Sequence, residues 1–119
     1  MFKFLKNLFS NAKYTVFKSD KNGEFYFNLT AKNGEVILTS EGYKTKDGAL
    51  NGITSVMLNG KDSSNFEIKK SSNGKSYFIL KAPNNKVIGI SELYENQSGS
   101  NSGIESVMKS CDTDIIKFD

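Results

Sequence analysis

The chain has 119 residues, 37% hydrophobic and 24% charged, with a net charge of +3. That suffices for one domain with a modest core and is too mildly basic, alone, to argue for nucleic acid. There is no histidine and one cysteine, and all sixteen basic residues are lysine; this excludes a Ser-His-Asp triad, a Cys-His pair, the commonest zinc ligand, an internal disulfide and bidentate guanidinium readout.

Residues 1–12 form an amphipathic arm in MFKFLKNLFSNAK. Phe2, Phe4, Leu5, Leu8 and Phe9 fall in one arc at helical spacing, with Lys3, Lys6 and Lys13 opposite. The stretch lacks the long apolar run and the small-residue cleavage site of a signal peptide. Phe2, Leu5 and Phe9 are expected to cover apolar surface on the domain or a partner subunit. Peripheral contact with an anionic membrane is the alternative. The apolar runs are too short for a transmembrane span, and the lone thiol suits a cytoplasmic, reducing setting.

From residue 13 onward the chain is written twice. At an offset of 51, residues 15–57 overlay residues 66–108 without a gap, and 19 of the 43 positions are identical. The expected domain is residues 13–118, with repeats 13–64 and 65–118. In each, a first strand (Thr15–Lys18, Phe66–Lys69) leads to Asn22-Gly23 or Asn73-Gly74, the dipeptide of a tight type I′ hairpin turn. A half-buried strand follows, with Phe25, Phe27, Leu29 and Ala31 on one face and Tyr26, Asn28 and Thr30 on the other. The second copy sets Phe78, Leu80 and Ala82 against Lys75, Tyr77, Ile79 and Lys81. A turn at Gly34 or Asn85, both tolerant of the left-handed region, opens a third strand, Glu35–Thr39 or Lys86–Ile90.

The period then changes to 3.6. Thr45 caps a helix carrying Ala49, Ile53, Val56 and Met57, and Asn96 caps one carrying Ile104, Val107, Met108 and Cys111. The second helix opens on Ser, Asn and Gly, which favour fraying. Ile115–Phe118 is a last strand. The pattern predicts an α+β domain: two β-β-β-α repeats related by a pseudo-twofold axis, one antiparallel sheet, both helices on one face, and the last strand at an open edge beside the first copy.

Between third strand and helix, Ser40-Glu41-x-Tyr43 recurs as Ser91-Glu92-x-Tyr94. Two glutamates across a twofold could split their pKa values for proton transfer. The reading preferred is a structural joint, with Ser and Glu taking backbone groups and the tyrosines packing over the corner. No catalytic, cofactor or metal residue is expected. Gly52 and Gly103 suggest close helix–sheet approach, and Cys111 lies in an apolar stripe.

NGEVILTSEGY with GITSV, repeated as NNKVIGISELY with GIESV, resembles the YegP-like family of small bacterial proteins. The resemblance covers residues 13–118. It implies a domain of unknown function in which two β-β-β-α-β units build a single sheet and exchange C-terminal strands. It brings no activity, cofactor or site residue with it. Asn85, where glycine is usual, and the weak second helix are departures.

The expected function is therefore a non-enzymatic module for protein interaction or self-association, through the open sheet face or a sheet edge. Tyr26, Tyr77, Lys75, Lys81 and Asn28 mark that face. The alternative is a weak single-stranded nucleic-acid or anionic-surface binder using the same tyrosines and lysines. An enzyme built on Glu41 and Glu92 ranks last.

Overall fold

The computed structural model describes residues 12–119. The arm contacts expected of Phe2, Leu5 and Phe9 lie outside the described residues. The elements are β1 (Lys13–Lys18), β2 (Phe25–Thr30), β3 (Val36–Ser40), α1 (Lys46–Asn59), a 3-10 turn (Ser63–Asn65), β4 (Phe66–Lys70), β5 (Ser76–Lys81), β6 (Val87–Ile90), α2 (Gln97–Ser110) and β7 (Ile116–Phe118). They form a seven-stranded sheet in the order β4-β5-β6-β3-β2-β1-β7. The helices share one core with the sheet: Phe27, Leu29, Phe78 and Leu80 pack with Ala49, Ile53, Val56 and Val107. Both helices therefore cover one face, as the period-two and period-3.6 stripes require.

The halves meet where β3 pairs antiparallel with β6 through Thr39↔Ile90 and Ser40↔Gly89. Thr39 and Ile90 are equivalent in the repeat, so the pseudo-twofold passes between them. A bulge in β3 sets Leu29 opposite Leu38 and Thr30 opposite Val36, which leaves Ile37 extra; β6 repeats it at Ile88. The bulge lets adjacent Ile37 and Leu38 both enter the core. Thr45 and Asn96 cap the helices through Gly48 N–H and Gly99 N–H, each at 3.0 Å.

Three expectations change. The sheet is mixed, because β7 runs parallel to β1 (Tyr14↔Ile116, Val16↔Phe118). The hairpins are not type I′, which needs two positive φ angles. Gly23 and Gly74 have φ of +72° and +84°, but Asn85 is the one non-glycine residue with positive φ among the described residues. Asn22 instead accepts from Glu24 N–H through its side chain at 2.9 Å, as in the longer hairpin loops that end on a left-handed glycine. Finally, the gapless offset fails in the first strands. Tyr14 pairs with Leu29 and Val16 with Phe27, whereas Phe66 pairs with Leu80 and Ile68 with Phe78. Tyr14 therefore matches Phe66 (66 − 14 = 52), one more than the offset downstream. The loop after β4 (71–75) is one residue shorter than that after β1 (19–24). The Lys18/Lys69 identity is a coincidence of register; Lys18 matches Lys70 in the fold.

Each helix is followed by a strand on the far half of the sheet. α1 packs on β1 and β2, and the chain then forms β4 at the outer edge beside β5. α2 packs on β5 and β4, and the chain then forms β7 at the opposite edge, beside β1.

Candidate functional site

The doubled Ser-Glu-x-Tyr lies where β3 and β6 peel off the sheet. Ser40 Oγ accepts from Phe27 N–H at 2.9 Å and donates to Glu41 O at 2.8 Å. Ser91 does the same with Phe78 N–H and Glu92 O, at the same distances. Each hydroxyl thus stands in for a ladder carbonyl that the departing strand no longer presents. The chain loops out and rejoins three residues after each serine, where Phe25 bridges to Tyr43 and Ser76 to Tyr94. The Tyr43 ring stacks on Phe27 at 6.4 Å and the Tyr94 ring on Phe78 at 6.3 Å. Their hydroxyls reach α1 and α2 at Gly52 and Gly103. Burial raises both phenol pKa values, with Glu41 and Glu92 respectively adding to it. Glu41 and Glu92 are exposed, and neither lines a cleft described below. Among the described residues, no group of three or more His, Cys, Asp or Glu side chains is placed to hold a metal ion.

On the open face, Tyr26 and Tyr77 stand on β2 and β5, two residues to opposite sides of the row Asn28-Thr39-Ile90-Ile79; three strand spacings across and four residues along put them roughly 19 Å apart. Thr39 and Ile90 lie between them, and Ile90 is exposed. Tyr26 stacks on Phe17 at 5.9 Å and accepts from Asn22 Nδ2 at 2.9 Å. Asn28 accepts from Thr39 Oγ1 at 2.9 Å. Lys75 pairs with Glu95 and Lys81 with Glu67, both at 2.8 Å. Hydrogen bonds from these lysines hold the Glu95 and Glu67 carboxyls below the usual carboxylate range. Both lysines assigned to this face are therefore paired with glutamates.

The halves differ most at their outer edges. On one side β7 lies against β1. On the other, among the described residues, β4 is the edge strand. Between β4 and α2 runs a cleft of about 830 Å³, lined by Phe66, Glu67, Ile68, Ile104, Glu105 and Met108. Its apolar wall is the counterpart of what β7 helps to bury. Tyr14, Val16 and Ile53 are 0%, 2% and 1% exposed, whereas their equivalents Phe66, Ile68 and Ile104 are only partly buried. A smaller cleft of about 230 Å³ lies between α1 and the β5–β6 turn, near Tyr43, Asn51, Ser55 and Lys86.

The sequence reading did not single out Phe66, Ile68, Ile104 and Met108 as a surface, because stripes at helical and strand spacing read as core. One signal was available: two three-strand repeats plus one final strand make seven, so only one outer edge can receive the extra strand.

These features define a small α+β domain of two tandem repeats on one mixed sheet, with matching joints and unequal edges. Residues 20–67 and 71–117 match the family described as Domain of unknown function (DUF1508), and the chain belongs to that family. The matched segments begin after β1, and each ends in the strand that follows its helix, β4 or β7, which lies beside the other half of the sheet. A UPF0339 protein of Photorhabdus laumondii is 55% identical over 92 residues, covering 77% of this chain and 81% of the relative. The UPF0339 protein YegP of Yersinia pestis is 47% identical over 100 residues, covering 84% and 88%. The solution NMR structure of yegP from E. coli, a protein of unknown function, superposes with a TM-score of 0.85 at 40% identity, covering 91% of this chain and 92% of that one. A UPF0339 protein structure from Shewanella oneidensis gives 0.83 at 44%, covering 90% of each chain. Among the described residues no helix is long and apolar enough to cross a membrane.

Proposed function

We propose that this protein is a non-enzymatic protein-interaction module of the cytoplasm that binds through the exposed edge of β4 and the cleft beneath α2. The observation carrying this reading is the pairing of an edge strand with an adjoining apolar wall, Phe66, Ile68, Ile104 and Met108. An edge offers backbone hydrogen bonds to an incoming segment and the wall offers pockets for its side chains. The doubled joint supplies no competing site, since Ser40 and Ser91 spend their hydroxyls on backbone groups. A nucleic-acid platform draws less support, because Lys75 and Lys81 are each paired with a glutamate.

In-cell photocrosslinking tests the reading, with the crosslinker at Glu105 on the cleft rim and, as control, at Glu41. Discrete protein adducts are expected from position 105 and not from 41, and Met108→Glu should remove them. Equal adducts from both positions, or none from 105, would sink the proposal.

A further inference from the structure

We infer that the cleft between α1 and the β5–β6 turn is a binding site for a small monocarboxylate with a short apolar tail, held at Lys86, Tyr43 and Asn51. The site goes beyond the edge reading above and shares no lining residue with the cleft beneath α2. Tyr43, Asn51, Ser55, Asn84 and Lys86 line it, and Ile88, 4% exposed, supplies an apolar wall. Asn84 Oδ1 accepts from Lys86 N–H at 3.0 Å, so its amide N–H groups are left to donate. Gly52 makes room for the tyrosine hydroxyl at the cleft, since a Cβ there would lie 2.4 Å from Tyr43 Oη. Among the described residues, neither that hydroxyl nor the Lys86 ammonium has a hydrogen-bond or salt-bridge partner. One cation and several neutral donors thus converge, and no described residue lining the cleft carries a carboxylate.

The other half of the repeat identifies the charge of the ligand. The pseudo-twofold sets Tyr94, Ser102, Ser106 and Asn33 in the equivalent positions, with the same turn bond from Glu35 N–H to Asn33 Oδ1 at 3.0 Å. There the rim residue is Glu35 instead of Lys86, and its carboxylate lies near enough to add to the rise of the Tyr94 phenol pKa. Equivalent surfaces therefore carry opposite charge, and only the Lys86 copy favours an anion. A single ammonium, with Glu41 close enough to act on Tyr43, suits one negative charge better than two, which selects carboxylate over phosphate. The cleft holds about 230 Å³, below the roughly 300–1,000 Å³ of ordinary ligand pockets, so it takes a short chain or a single ring. Residues 1–11 contain no Asp or Glu, so the N-terminal arm has no side-chain carboxylate to place there.

The probe is butyrate, titrated at neutral pH into the isotopically labelled full chain. Saturable shifts are expected at millimolar acid in the amides of Asn51, Gly52 and Lys86, and none at Ser102, Gly103 and Glu35. Butylamine should leave all of these in place, and inorganic phosphate should bind more weakly than butyrate. Lys86→Glu should abolish the response. Tyr43→Phe, which keeps the ring that stacks on Phe27, should weaken binding roughly twofold to tenfold. Glu35→Lys should create a second response at Ser102 and Gly103 while the first persists. Lys86 and Glu35 are exposed turn residues, so both exchanges leave the fold intact and decide the matter even if Tyr43→Phe does not fold. No saturable shift, equal shifts with butylamine, tighter binding of phosphate, a response that survives Lys86→Glu, or no second response in Glu35→Lys would each overturn the inference. So would shifts at Asn51 and Lys86 that grow with protein concentration before any acid is added, which would place a carboxylate of a second copy in the cleft. The β4 edge reading stands or falls separately, on the crosslinks at Glu105.

Discussion

Leu38 occupies the space that a side chain at its own repeat equivalent, Gly89, would need. A Cβ built on Gly89 would lie 2.8 Å from Leu38 Cγ, closer than real Cβ atoms approach. The two positions flank the pseudo-twofold, where the halves come nearest. One leucine fills that volume and two would collide, so the symmetry of the repeat must break at this pair.

Gly89→Leu should therefore destabilise the domain by about 1–3 kcal/mol through overpacking. The exchanged double variant, Leu38→Gly with Gly89→Leu, should regain part of what the two single variants lose together, because one leucine again fills the axis from the other side. Urea denaturation of the four proteins measures this cycle. Strict additivity of the single changes would show that the two positions do not share one volume.

Gly52 and Gly103 should resist replacement in the same way. A Cβ at Gly52 would fall 2.4 Å from Tyr43 Oη, and one at Gly103 would fall 2.5 Å from Tyr94 Oη. Alanine in a helix interior ordinarily gains about 1 kcal/mol over glycine. Here Gly52→Ala and Gly103→Ala should each lower stability by about 1–3 kcal/mol despite that gain. A rise in melting temperature for either would mean that the tyrosine rings yield freely.

Ser40→Ala and Ser91→Ala each strand a buried backbone N–H, that of Phe27 or Phe78. Each should reduce stability by about 1–3 kcal/mol, and by similar amounts, since the two bonds have the same length. Chemical denaturation gives the loss, and hydrogen exchange should show faster opening at the affected amide.

Tyr14 predicts the alkaline limit of the fold. Its hydroxyl donates to Cys111 O in the core. Burial pushes its pKa well above the usual 10.0, with Cys111 and Asp112 adding to the effect. Above about pH 10 the unfolded tyrosine ionises while the folded one keeps its proton, so the folded state binds more protons and stability falls as pH rises. Below that pH the contribution is fully present. Urea midpoints between about pH 8 and 11 should fall for the wild type and fall less steeply for Tyr14→Phe. The variant should also lose about 1 kcal/mol at neutral pH with the hydrogen bond. Equal slopes would remove Tyr14 as the source; Tyr43 and Tyr94, also raised, supply a smaller common slope.

Replacement of one repeat by the other also has a logic that becomes visible only in pairs. Phe25 and Ala49 in the first half become Ser76 and Ser100 in the second. The two serine hydroxyls hydrogen-bond to each other at 2.6 Å in the core. Ser100, a poor helix former in isolation, is thus partnered by a residue 24 positions away. Nothing in the local run Gln97–Gly103 announces that.

What the chain alone determined is what short-range physics controls. Alternation of Phe27 and Leu29 with Tyr26 and Asn28 specified a strand with one buried face. Thr45 and Asn96 specified where the helices begin, and the repeat specified a two-half sheet. These follow from side-chain direction and backbone donors within a few residues. The tertiary structure decided the rest, because it depends on which distant groups meet. The one-residue slip between Tyr14 and Phe66 appears only in cross-strand pairing, and it is taken up by a loop one residue longer in the first copy. The placement of β7 on β1 is likewise a long-range choice. Tyr14 Oη bonds to Cys111 O and Thr113 Oγ1 to Ala12 O, which draws the chain leaving α2 to β1. Phe66, at the position equivalent to Tyr14, has no hydroxyl to make the first of these bonds. Among the described residues, seven strands shared between two similar halves set the extra strand outside only one half, and these side-chain contacts select which.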